Sequence, residues 1–79
     1  MTEKTIAYPE LRALMAKYGV TIIMLAAVIK RSIANTSHKI NKQLPFSIIE
    51  MSAIRDYFQE LENKSSSGRV LTINDIFSV

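Results

Sequence analysis

Between residues 30 and 42 the chain reads KRSIANTSHKINK, and the chemistry this stretch can do is recognition rather than bond-making. Lys30, Arg31, Lys39 and Lys42 can meet phosphates, each adding to a salt-dependent affinity. An ordinary solvated face accounts for the same four cations equally well. Asn35 carries the paired donor and acceptor that match an adenine edge, or it can hydrogen-bond within a first helical turn; Ser37 and His38 add shorter polar contacts. His38 is the only histidine and the chain has no cysteine, so an exposed helix position is expected for it rather than a metal site. Nothing in the sequence supplies the parts of a catalytic centre: there is no glycine-rich phosphate loop, no nucleophile elbow and no metal-ligand spacing, and the acidic residues are scattered at cap and surface positions. The expectation is a protein that binds, with no enzyme activity, cofactor or small-molecule substrate.

A second set of residues competes with the polar one. Ile22, Ile23 and Met24 are consecutive, hence about 100° apart around a helix, so at most two can point inward beside Leu25. Ile33 and Ala34 stand at the start of the polar stretch, and Ile48 and Ile49 raise the same issue further on. Ile33 also falls in i, i+3, i+4, i+7 register with Thr36, Ser37 and Ile40, which allows a core position as well as an exposed one. Apolar side chains gathered on one exposed face mark an interaction surface.

The elements that position these residues can be read from caps and periodicity. Residues 1 to 8 form a loose arm. Pro9 suits a first helical turn, Leu11, Leu14, Met15 and Tyr18 repeat at helical spacing, and Gly19 is placed to end the helix in a left-handed conformation, giving a helix over 9–18. Thr21 caps a short helix with Leu25, Ala26 and Ile29 on its buried face, ending near Lys30. Ser32 caps a third helix running to Lys42, after a connection so short that only a tight helix-helix turn fits. Ser47 and Glu50 form an S-x-x-E capping box for a fourth helix striped with Met51, Ile54, Tyr57, Phe58 and Leu61. The NKSSSG run marks a linker over 63–70. In the tail, Val70, Leu71 and Ile73 can begin a strand, whereas Thr72 and Asp75 can cap a helix. The preferred reading is a short helix at 73–77 that docks Ile76 and Phe77, within a docking segment over 71–79.

Composition bounds the rest. Seventy-nine residues allow one small domain near the lower limit for folding on a hydrophobic core alone, with no disulfide or zinc staple. Ten basic against seven acidic residues is compatible with nucleic acid and falls short of a dedicated polyelectrolyte binder. The longest apolar run, Val20 to Ile29, is about half of the roughly 20 residues that span a bilayer and lies mid-chain. No membrane segment or signal peptide is expected.

Through YGVT (18–21), LAAVI (25–29), Ser32, TSHKIN (36–41), LPFS (44–47) and IRDYF (54–58), residues 9 to 61 resemble the lambda-repressor-like, Cro/C1-type helix-turn-helix family of phage regulators. The resemblance implies an all-α domain of four to five helices, frequent dimerisation, a cytoplasmic setting in a bacterial host, and a third helix laid in the major groove of operator DNA. Thr36 then sits where the family prefers an aliphatic residue and packs through its methyl group. The departures fall on the reading face. Lys30 replaces the turn glycine; Ile22, Ile23 and Met24 stand where polar residues touch phosphates; Ile33 and Ala34 open the recognition helix, and on the family template Ile33 lies outside. In these features the chain is similar to the modulator-of-repression type of antirepressor, which implies a CI-type repressor as partner. Ile22, Ile23, Met24, Ile33, Ala34 and Ile49 would form the contact, rimmed by Lys30, Arg31 and Lys42. The other reading is a Cro-like protein that binds operator DNA through Asn35, Ser37, His38, Lys39 and Lys42.

Overall fold

A computed structural model describes residues 8–41, 43–66 and 68–77. The described residues form five helices, α1 (Pro9–Tyr18), α2 (Ile22–Ile29), α3 (Ile33–Ile40), α4 (Ile48–Lys64) and α5 (Ile73–Phe77), and no strand. The fold is all-α, and the tail takes the helical of its two options. No single helix among the described residues is long and apolar enough to cross a membrane.

Each boundary has a local cause. α1 begins with Pro9, whose missing N–H costs nothing in a first turn. It ends at Gly19 in the left-handed region (φ 66°), where the Gly19 and Val20 amides close on the Ala16 and Met15 carbonyls and Val20 turns into the core. The Oγ1 of Thr21 accepts from the Met24 amide, and the Met24 sulfur, a weak acceptor, receives the Thr21 N–H at 3.4 Å. α2 closes at Lys30, a side-chain-bearing residue held at φ 59°, and the next amide, Arg31, reaches back to the Ala26 carbonyl. Ser32 caps α3 through the Asn35 amide. α3 ends two residues earlier than the sequence suggests: the Asn41 amide bonds to Ser37, and the Gln43 and Leu44 amides both turn back onto the His38 carbonyl, which terminates the ladder. Lys42 lies outside the described residues.

α4 is the spine. Glu50, Ile54, Phe58 and Glu62 repeat every fourth residue and are all buried, so one stripe of the longest helix faces the interior along its whole length. α2 and α5 both pack on α4, α3 packs on α2, and α1 packs on α5. The core gathers Leu11, Leu14, Leu25, Ile29, Ile40, Ile54, Phe58, Leu71 and Ile76. Thr36 is fully buried; its hydroxyl donates to the Ser32 carbonyl at 2.8 Å, which satisfies the polar atom and leaves the methyl to pack.

Two boundaries differ from the sequence reading. Tyr8, placed in the loose arm, is half-buried, and its ring meets Phe46 and Phe77 edge-on with centroids 5.6 Å apart in both pairs. The expected linker over 63–70 is partly helix, since α4 continues to Lys64. Its far end is tied down: Gln59 Nε2 donates to the Arg69 carbonyl, while Gln59 Oε1 accepts the Leu71 amide at 2.7 Å. Thr72 and Asp75 cap one another's amides, which starts α5 and sends Ile76 and Phe77 inward, as the docking segment requires. Residues 1–7, 67, 78 and 79, which belong to the arm, linker and docking segments, lie outside the described residues.

Lys30 supplies a test of this geometry. A left-handed conformation costs a non-glycine residue roughly 1–2 kcal/mol, partly offset by the greater freedom glycine has when unfolded. Lys30→Gly is therefore expected to raise the unfolding free energy by about 0.5–1 kcal/mol, read as a higher melting temperature; a lower one would show that the turn gains more from the lysine side chain than from a relaxed backbone.

Candidate functional site

The start of α4, the turn after α2 and the body of α3 converge on one carboxylate. Glu50 belongs to the Ser47 capping box: its amide donates to Ser47 Oγ at 3.1 Å and its Oε1 accepts the Ser47 N–H at 2.9 Å. From outside the helix, Arg31 Nε approaches Oε2 at 2.7 Å and Lys39 Nζ approaches Oε1 at 2.8 Å. Lys39 also donates to the Pro45 carbonyl at 3.1 Å and lies over the Phe46 ring. Burial by itself would push the Glu50 carboxyl upward; the hydrogen bonds from Lys39, the Ser47 amide and Arg31 outweigh it and hold the group down at about 2. It is an anion under all ordinary conditions.

Beside this cluster runs a groove whose walls include Val28, Lys30 and Arg31 on one side and Ile49 and Ala53 on the other. Ile49 stands 82% exposed on its rim and Ile48 beside it 66%. Along α2, Ile23, at 64% exposure, and the exposed Ala27 are one turn apart on a stripe that leads toward Lys30. Ile33, half exposed, opens α3 just past the Ser32 cap, with the exposed Ala34 after it. The surface around the α2–α3 turn is thus apolar at several points, and two of its cations are turned toward Glu50.

The residues singled out in the sequence divide accordingly. Ile23, Met24, Ile33, Ala34 and Ile49 are exposed, as a contact surface requires; Ile22 packs partly against the core and is the inward member of its trio. Lys30 is exposed on its left-handed turn. Arg31 keeps about half its side chain in solvent while its Nε is occupied. Among the polar candidates, Asn35 and His38 are exposed and Ser37 is half-buried, with His38 Nδ1 2.5 Å from Gln43 Oε1. Lys39 departs from its expected role: its side chain is only 13% accessible and its ammonium points inward, so it does not stand out toward a phosphate. Lys42 lies outside the described residues.

Sequence reasoning missed the importance of Glu50. Its capping box was visible, but a local motif says nothing about cations eleven and nineteen residues away. The buried Glu62, paired with Lys17 at 3.2 Å, escaped for the same reason. Lys17 is raised above its ordinary value, chiefly by that hydrogen bond. Among the described residues no group of three or more His, Cys, Asp or Glu side chains is placed to hold a metal ion.

Because the Glu50 carboxyl lies lower in the folded protein than in an open chain, its contribution to stability is complete above about pH 4.5 and is lost as the pH falls from there toward about 2. Acid titration of the unfolding free energy is expected to fall through that window, and less steeply in Glu50→Gln. Equal slopes for the two proteins would mean that the carboxylate is not held by its cations in solution.

Comparison with protein families, with curated proteins and with solved structures finds no match to this chain.

Proposed function

We propose that this chain is a phage transcriptional-switch regulator with a lambda-repressor-like helix-turn-helix fold, in which α2 and α3 form the motif, and that it acts by binding a CI-type repressor through an apolar face rather than by catalysis. The observation that carries the reading is the exposure of Ile23, Met24, Ile33 and Ile49 on the elements that, in such a fold, face DNA. Isoleucine cannot hydrogen-bond base edges or phosphates, and the weakly accepting sulfur of Met24 is already turned to the Thr21 N–H; at best these side chains touch a thymine methyl group. They lose little, and gain much, against another protein. At about 25 cal/mol per Å2, covering four such side chains supplies several kcal/mol before the cost of association is subtracted.

The surrounding polarity fits the same reading. An interface of this kind has an apolar centre and a charged rim, and Lys30 and the outer part of Arg31 flank the groove that Ile49 lines. A regulator of this design covers the repressor's own recognition surface and so keeps it from its operator. A Cro-like role would use Asn35, Ser37, His38, Lys39 and Lys42; the inward turn of Lys39 weighs against it.

Ile23 and Ile33 are the residues to test, because Ile22 contributes to the core and its loss would confuse binding with folding. Ile23→Gln combined with Ile33→Gln is expected to weaken capture of the purified repressor at least 100-fold in calorimetric or surface-binding titrations, while the melting temperature barely moves, as for other exposed sites. Undiminished binding by the folded double variant would remove the apolar face from the mechanism.

A further inference from the structure

The cluster at the start of α4 does more than fasten helices together. We propose that Glu50 is a specificity-determining residue that withholds Arg31 and Lys39 from nucleic-acid phosphates, so that a face bordered by cations is presented to protein and not to DNA. The inference rests on the protein-contact reading above and goes beyond it, because it concerns how the competing ligand is refused.

Three features make the cluster a lock rather than a loose surface pair. The two cations take opposite oxygens of the carboxylate, Arg31 Nε on Oε2 and Lys39 Nζ on Oε1, so neither displaces the other. The carboxylate cannot follow them outward, because its Oε1 also accepts the Ser47 N–H of its own capping box and its side chain is 4% accessible. Lys39 has further partners, the Pro45 carbonyl and the ring of the buried Phe46. A phosphate that recruited Lys39 would have to break these contacts and leave a buried carboxylate short of a cation, which is among the costlier changes a protein can make. Counterion release, the main source of non-specific DNA affinity, counts only charges that reach the backbone. Lys39 does not reach it, and the positive charge of Arg31 is offset beside it.

Glu50→Gln tests the lock. Glutamine keeps the shape and a carbonyl oxygen for the Ser47 N–H but has no charge to hold the cations, and lysine and arginine are long enough to swing into solvent. Binding to a short mixed-sequence DNA duplex is measured with no repressor present, across roughly 50 to 200 mM salt. The expected result is about tenfold tighter binding at the low-salt end and a plot of log affinity against log salt that is steeper by about one to two charges. Adding Lys39→Met to the same protein should reverse most of the gain. A Glu50→Gln protein that folds, by circular dichroism, yet binds DNA no better than the unaltered chain would overturn the proposal.

If Glu50→Gln does not fold, Arg31→Gln in the otherwise unaltered chain decides instead. Its DNA affinity should stay within about twofold of the parent's, since that charge is already compensated; a loss of tenfold or more would overturn the lock. Tight, salt-steep binding by the unaltered chain would count against the protein-contact reading itself, whereas the lock is judged from the ratio between variants.

Discussion

A carboxylate removed from water must be met by donors and cations, and in this protein that requirement falls on Glu50. Its capping box fixes it at the first turn of α4; its burial obliges Arg31 and Lys39 to come to it. The turn after α2, the body of α3 and the start of α4 are thereby held in one arrangement. Such a cluster is a weak source of net stability, because the cost of desolvating Glu50 and Lys39 consumes much of the attraction. What it supplies is position. Ile33, Ile48 and Ile49 belong to the segments that the cluster joins, so the placement of the apolar surface follows from the placement of one buried anion.

The opposite end of α4 repeats the device with Glu62, fully buried and paired with Lys17 of α1. Between the two carboxylates the same stripe carries Ile54 and Phe58, the centre of the core. A helix that is polar at both ends of its inward stripe and apolar in the middle has little freedom to slide along its neighbours, since a shift of one turn would bury a carboxylate among leucines. The tail is held by different means: Gln59 and Arg55 bond to the backbone at Arg69 and Leu71, and Leu71, Ile76 and Phe77 fill the space beneath.

Much of this was legible in the sequence because helix ends are local events. Thr21, Ser32 and Ser47 each cap with a side chain three residues from the amide it serves, and Gly19 takes a left-handed position set by its own place in the chain. Leu25, Ala26 and Ile29 of α2 and Met51, Ile54 and Phe58 of α4 follow from helical spacing in the same way, whereas the buried Glu50 and Glu62 do not. The end of α3 was less legible: His38 to Asn41 has the composition of a continuing helix, and what stops it is the return of the Gln43 and Leu44 amides to the His38 carbonyl. Tyr8 falls in the loose arm on sequence because residues at that end carry little pattern; its partners, Phe46 and Phe77, come from elsewhere in the chain.

The sequence by itself determined that the segments of α1 to α4 are helices, where they begin, and that Ile22, Ile23 and Met24 cannot all be buried, since these depend on interactions within a few residues; it left the tail between strand and helix. Only the tertiary structure decided that Ile22 is the inward one of the three, that Ile33 is exposed, and that Lys39 turns inward while Lys30 remains outside. The physical reason is that burial and charge pairing are settled between elements. Lys30 and Lys39 are the same residue type in the same basic stretch, and what separates them is a buried carboxylate that only folding brings within reach of one of them.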